Sequence, residues 1–125
     1  MELGPNHELR GLVDAIIAYY WERNWPTIAR HAITTEKLAY QSCSPAGAYI
    51  ELPKLSELAV PAVRPHLILT GLWIKFDGSA LVDALLYVEN GMISMVELAA
   101  PLDDFPVAFR SFDLQQDPKE TRQIE

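Results

Sequence analysis

Few residues in this chain combine the type and the spacing that chemistry needs. His7-Glu8 opens like the pattern His-Glu-x-x-His, in which two imidazoles on one helix face hold zinc, but Gly11 stands where the second histidine is required. Cysteine nucleophilic catalysis needs a thiolate beside a base, and Cys43 with His31 or His66 and Asp83 supplies the residue types without any local signature. Free cysteine is also among the most buried residue types and packs as a small hydrophobe, which is the simpler reading of Cys43. Gly71, Gly78 and Gly91 stand singly rather than in a phosphate-cradling run, and Asp103-Asp104 lacks the further loop ligands that calcium needs. No catalytic residue, metal ligand or cofactor is assigned.

Asp83 and Glu97 are the most unusual carboxylates, because each interrupts an otherwise apolar stretch. Burial raises a carboxyl pKa and makes such a residue a site candidate, whereas a paired or edge-exposed carboxylate is merely structural. Tyr19, Tyr20, Trp21 and Trp25 gather where an N-terminal helix should end; they either line a ligand pocket or close the bottom of a core. The candidate binding residues are Trp25, His31, Trp73, Asp83 and Glu97.

These residues must be positioned by one small domain. A length of 125 residues fits a single unit, and size scaling buries roughly two thirds of the chain's surface, enough for a core without metal or disulfide. Ten Lys plus Arg against 17 Asp plus Glu give a net charge of −7, the wrong sign for a nucleic-acid footprint or an anionic membrane surface. A 50% hydrophobic, 22% charged composition argues against disorder. The single cysteine excludes an internal disulfide and suits a reducing compartment. The first six residues lack the basic flank and apolar stretch of a secretory signal, and the charge-free stretch 65–74 is about half the length that spans a bilayer, so a cytoplasmic protein is expected.

Leu9, Leu12, Val13, Ile16, Ile17 and Tyr20 recur at helical spacing and form one apolar stripe. They predict an amphipathic helix over residues 6–23, capped by Asn6, with Glu8 in its first turn, Arg23 in its last, and a stop at Asn24 to Pro26. Pro26 can open a second short helix through 31. Residues 37–43 and 48–52 read as a loose hairpin around Ser44-Pro45-Ala46-Gly47. Pro53, Pro61 and Pro65 exclude a long element between them and leave one helical turn at 56–58. Strands follow over 66–76, 80–89 and 92–99, joined by Asp77-Gly78 and Asn90-Gly91, pairs suited to tight turns with positive φ. A further strand is expected over 107–113. The domain then spans 1–113, and the polar residues 114–125 form a frayed tail.

Two-residue turns fix the register. They pair Val88 with Ile93, Leu86 with Met95 and Ala84 with Glu97 on one face, and Tyr87 with Ser94, Leu85 with Val96 and Asp83 with Leu98 on the other. Both faces come out apolar, Asp83 and Glu97 point opposite ways, and one helix covers only one side. The second face then needs a further cover: the Pro-rich middle segment, a second copy of the chain, or a ligand.

The stretch from Asp83 through Val88-Glu89-Asn90-Gly91 to Glu97-Leu98 resembles a pattern in small bacterial proteins of uncharacterised function: an apolar strand, a Val-Glu-Asp/Asn-Gly turn and a strand ending in Glu. Some of them look like immunity partners of polymorphic toxins. The resemblance covers mainly residues 71–102 and brings no catalytic residues with it. The expected fold is α+β, an N-terminal amphipathic helix on a curved antiparallel sheet of four to six strands, similar to cystatin-like or other helix-grasping arrangements. The expected function is that of a non-enzymatic bacterial interaction protein, homodimeric through its second sheet face or immunity-like and bound to a basic effector. The alternative is a small-molecule-binding protein, or a small lyase or isomerase, with a pocket between helix and sheet lined by Trp25, His31, Trp73 and Asp83 or Glu97.

Overall fold

The apolar stripe of the N-terminal segment folds as α1 (His7–Asn24), one residue further along than expected at each end. The structure, a computed structural model, describes residues 7–33, 38–61, 64–102, 105–106, 108–116 and 123–124, so Asn6 and Asp103-Asp104 lie outside the described residues. Leu9, Leu12, Val13, Ile16, Ile17 and Tyr20 are all buried. At the C-terminal end Arg23 donates to the Tyr19 carbonyl at 3.0 Å and lies 3.5 Å over the Tyr19 ring, while Asn24 Nδ2 donates to the Tyr20 carbonyl at 2.8 Å. These side chains return to carbonyls already bonded inside the helix, while the first carbonyl that the helix itself leaves open, that of Trp21, accepts from the Trp25 N–H at 2.7 Å.

The second short helix expected after Pro26 does not form; residues 26–28 make a turn and the chain runs irregularly to Ile33. Its backbone is held by side chains of α1 instead. Trp21 Nε1 donates to the Ile28 carbonyl at 2.8 Å, and Asp14 accepts from Arg30 at 2.7 Å and from the Ile33 N–H at 3.0 Å. Burial pushes the Asp14 carboxyl upward, but these two hydrogen bonds and the charges of Arg30 and Arg10 outweigh it and leave the pKa below the ordinary value.

Seven strands follow: β1 (Ser42–Ser44), β2 (Gly47–Glu51), β3 (His66–Phe76), β4 (Ala80–Glu89), β5 (Met92–Ala99), β6 (Phe112–Gln116) and β7 (Gln123–Ile124). They form one antiparallel, open sheet in the order β1-β2-β5-β4-β3-β6, with β7 pairing β3 beyond the end of β6. The helix and sheet make an α+β fold. The three central strands have the expected bounds, the β1–β2 hairpin is shorter than expected, and a 3-10 turn stands at Ser56–Leu58. β6 begins five residues later than the strand expected over 107–113 and runs through the boundary drawn at 113. Phe109 is buried against Phe76, so the segment before β6 caps the core instead of pairing.

Asn90 (φ 51°) and Gly91 (φ 77°) turn β4 into β5 as a two-residue loop, with Glu89 opposite Met92. At Asp77 (φ 48°) and Gly78 (φ 77°) the ladder resumes one residue later, Phe76 opposite Ala80. Two bulges then correct the expected register. In β5 the pairing shifts at Ser94, so that Leu86 opposes Val96, Leu85 opposes Glu97 and Asp83 opposes Ala99. In β3 it shifts between Leu69 and Leu72, across Thr70 and Gly71 (φ 106°). Each bulge adds one residue on one strand, which flips every side chain beyond it. Val82, Ala84, Leu86 and Val88 of β4 therefore meet Leu67, Leu69, Leu72, Ile74 and Phe76 on one side and Ile93, Val96 and Leu98 on the other, all buried. The expectation of two equally apolar faces is overturned: one face is core, covered by α1, and the other is mixed. Tyr20 ties the two layers, its hydroxyl donating to the Ala84 carbonyl at 2.5 Å.

Two glycines carry opposite expectations. A Cβ on Gly47 (φ +144°) would sit 1.9 Å from the Leu98 carbonyl oxygen, inside the β2–β5 ladder, whereas Gly11 on the exposed side of α1 has open space around it. Gly47→Ala should lose at least about 2 kcal/mol in denaturant unfolding, and Gly11→Ala should gain about 0.5–1 kcal/mol. Asp14 gives a pH signature. Because its folded pKa is depressed, its contribution is present above the unfolded carboxyl value and fades as pH falls through the folded one. Asp14→Asn should cost about 1 kcal/mol at neutral pH. That gap between variant and wild type, read as melting temperature against pH, should close on acidification below about pH 4.

Candidate functional site

With α1 on the inner face, the functional candidates divide by the side of the sheet they occupy. Trp25 is buried at 7% exposure, edge-on to Trp21 with ring centroids 5.4 Å apart, and closes the core below the helix. Trp21, Ala18, Glu22, Pro26, Ile28 and Arg30 surround a small cleft of about 230 Å³ beside it. His31 is exposed on the following loop. Trp73, Asp83 and Glu97 alternate with buried core residues and so lie on the outer face, away from the helix. The pocket expected between helix and sheet is therefore not lined by these residues: the structure brings Trp73, Asp83 and Glu97 together, and Trp25 and His31 are elsewhere.

The β5 bulge is what brings the carboxylates to one side. Asp83 and Glu97, expected on opposite faces, both point outward, with Trp73 opposite Asp83 and Leu85 opposite Glu97. Across the sheet the outer face reads in rows. Ile68, Tyr87, Met95 and Glu51 form one; Leu85, Glu97 and Tyr49 form the next; Gln115, Trp73, Asp83 and Ala99 form a third; Asp113, Lys75 and Leu81 form a fourth. Most of these side chains are half-buried by their neighbours, and Tyr49 (42%) and Leu81 (37%) are exposed. Apolar residues and carboxylates are interleaved across the whole face.

Within it, Tyr87 and Glu97 form the firmest polar contact, the phenol donating to Oε1 at 2.6 Å. Burial, this hydrogen bond, the Glu97 charge and nearby Tyr49 all push the Tyr87 pKa well above the ordinary tyrosine value. The phenol stays protonated and serves only as a donor. At the end of the strands His66 Nδ1 and a Glu89 carboxylate oxygen form an exposed pair. A groove of about 690 Å³ opens beside this end of the face, between β5 and the residues that follow β2.

The cysteine-nucleophile reading has no geometric support. Cys43 packs against the core, where burial raises its thiol pKa and disfavours the thiolate, and His66 pairs with Glu89. Among the described residues no group of three or more His, Cys, Asp or Glu side chains is arranged to hold a metal ion, and no helix is long and apolar enough to cross a membrane. Sequence reasoning missed Tyr49, Leu81, Leu85 and Glu51 as members of the site. Their signal was present in the alternation of β2 and β4; the bulge in β5 puts Leu85 and Tyr49 opposite Glu97, while Glu51 lies opposite Met95 and Leu81 opposite Lys75. No protein family, curated protein or solved structure matches the chain.

A carboxylate held for binding rather than folding should be expendable for stability. Glu97 is half-exposed and has a neutral donor, so Glu97→Ala should change the unfolding free energy by less than about 1 kcal/mol. A loss above about 2 kcal/mol would make Glu97 a structural anchor of the sheet.

Proposed function

We propose that this protein is a non-enzymatic interaction protein that docks a basic partner protein on the outer face of its sheet, as an immunity-like protein binds a basic effector, in a cytoplasm that keeps Cys43 reduced. The observation that carries this reading is the interleaving on that face: Trp73, Leu81, Leu85, Tyr87 and Met95 offer area to bury, and Glu51, Asp83, Glu89 and Glu97 offer negative charge among them. Apolar and aromatic side chains supply affinity in an interface core, while complementary charge sets orientation and speeds encounter. The net charge of −7 extends the same preference to longer range. A homodimer through this face is the weaker use, because it would desolvate carboxylates of one copy against those of the other.

Co-expression of the full chain with each product of its flanking genes, followed by purification and light scattering, tests the proposal. The wild-type chain should retain a basic partner at equal stoichiometry. Leu85→Lys should weaken retention at least about tenfold, as expected for a charge placed at the centre of an interface. Leu81→Lys, at a more exposed position, carries the same test should Leu85→Lys melt early. Retention that ignores both variants, the absence of any basic partner, or a wild-type dimer that these variants split would overturn the proposal.

A further inference from the structure

We infer that the groove at the Asn90-Gly91 end of the outer face is the anchor site for an arginine side chain carried on an extended segment of the basic partner, an inference that rests on the docking reading above. The groove exists because the chain leaves the sheet and returns to it. β2 ends with the Leu52 N–H donating to the Ser94 carbonyl at 2.9 Å. The chain rejoins β5 where Ala59 bridges Met92 and the Val60 N–H donates to the Gly91 carbonyl at 2.9 Å. Between these attachments the opening measures about 690 Å³, room for one long side chain and the flanking residues of an extended segment.

The lining selects the occupant. Tyr87, Met92 and Met95 give an apolar wall, with Tyr87 and Met95 continuing directly into the docking face. Two carboxylates stand in the lining beside a single lysine, Lys54: Glu51, and Glu89, one oxygen of which also meets His66. An apolar groove flanked by carboxylates, Glu51 opposite Met95 and Glu89 opposite Met92, suits a side chain with a long aliphatic stem and a cationic head. Arginine fits better than lysine, because its guanidinium is less strongly hydrated, stacks on aromatic rings and meets carboxylates with two parallel donors. The Tyr87 hydroxyl is already held by Glu97, which fixes the ring in the groove wall. The methionine thioethers adapt to the shape of the stem.

The test titrates the isotope-labelled full chain with an acetylated, amidated Leu-Arg-Leu-Arg-Leu peptide and its lysine counterpart, followed by amide shifts in NMR. The arginine peptide should move Glu51, Lys54 and residues 92–95 first, and should bind at least about threefold more tightly than the lysine peptide. Met92→Lys and, separately, Glu89→Gln should each weaken it at least about fivefold. Equal affinity for the two peptides, or binding that survives both variants, would overturn the inference. Shifts confined to Leu85, Glu97 and Tyr49 would also overturn it, yet would leave the docking face in place. No shift on either surface would count against both readings.

Discussion

The architecture depends on a single constraint: β4 has no bulge, so its neighbours must adjust to it. Val82, Ala84, Leu86 and Val88 present one uninterrupted apolar row to the inner face. The strands on either side carry apolar residues whose spacing departs from strict alternation, with Leu69 and Leu72 three apart in β3, and Ile93 and Val96 three apart in β5. A regular ladder would send one member of each pair to the wrong side. A bulge placed between the two keeps both in the core, and both strands use one. The stripe of α1 then has a continuous apolar surface to cover, and the hydrophobic term, at about 25 cal/mol per Å², favours this arrangement over any register that exposes it.

The outer face is a by-product of the same adjustment. Once Ile93, Val96 and Leu98 are fixed inward, Met95, Glu97 and Ala99 must point out, beside Tyr87, Leu85 and Asp83. The carboxylates therefore share a face because the core demanded it, and they cost self-repulsion that nearby positive charge would relieve. Lys75 stands opposite Asp113 at one end of the face, the His66–Glu89 pair stands at the other, and Asp83, Glu97 and Glu51 lie in the rows between. This asymmetry of charge is the physical basis of the proposed preference for a basic partner.

Local signals in the chain were enough for the elements. The 3.6-residue stripe gave α1 to within a residue, and the Asn-Gly and Asp-Gly pairs located both central turns. What local patterns cannot report is how many residues a ladder skips. Ser94 has no feature of a bulge residue except its position between two inward-pointing neighbours, a fact visible only once β4 is laid alongside. The opposed carboxylates followed from that one skipped residue; the mistaken register and the two apolar faces followed from it together with the extra turn residue Ser79 and the bulge in β3. The region after Pro26 failed for a related reason: Trp21 and Asp14, distant in sequence, capture backbone groups that a short helix would have used itself.

A two-layer fold with one helix layer always leaves one sheet face to solvent, and proteins that need nothing there make it polar. Here the apolar members of that face are broken up by charge: Ile68, Tyr87 and Met95 lie side by side but their row ends at Glu51, Leu85 and Tyr49 flank Glu97, and Trp73 and Ala99 flank Asp83. Such spacing has two effects at once. It keeps the free protein from presenting the unbroken greasy surface that drives aggregation, since any two copies meeting face to face would bring like charges together. It also leaves each carboxylate flanked by apolar neighbours, so that a cation seated there would be partly shielded from water and its attraction strengthened. The groove beside β5 carries the same pattern further, with two carboxylates beside an aromatic and thioether wall. Such a surface would resist its own copy and favour an apolar-stemmed cation through charge, which is the selectivity proposed for it, and the bulge at Ser94 is the backbone feature that brings Glu97 to it.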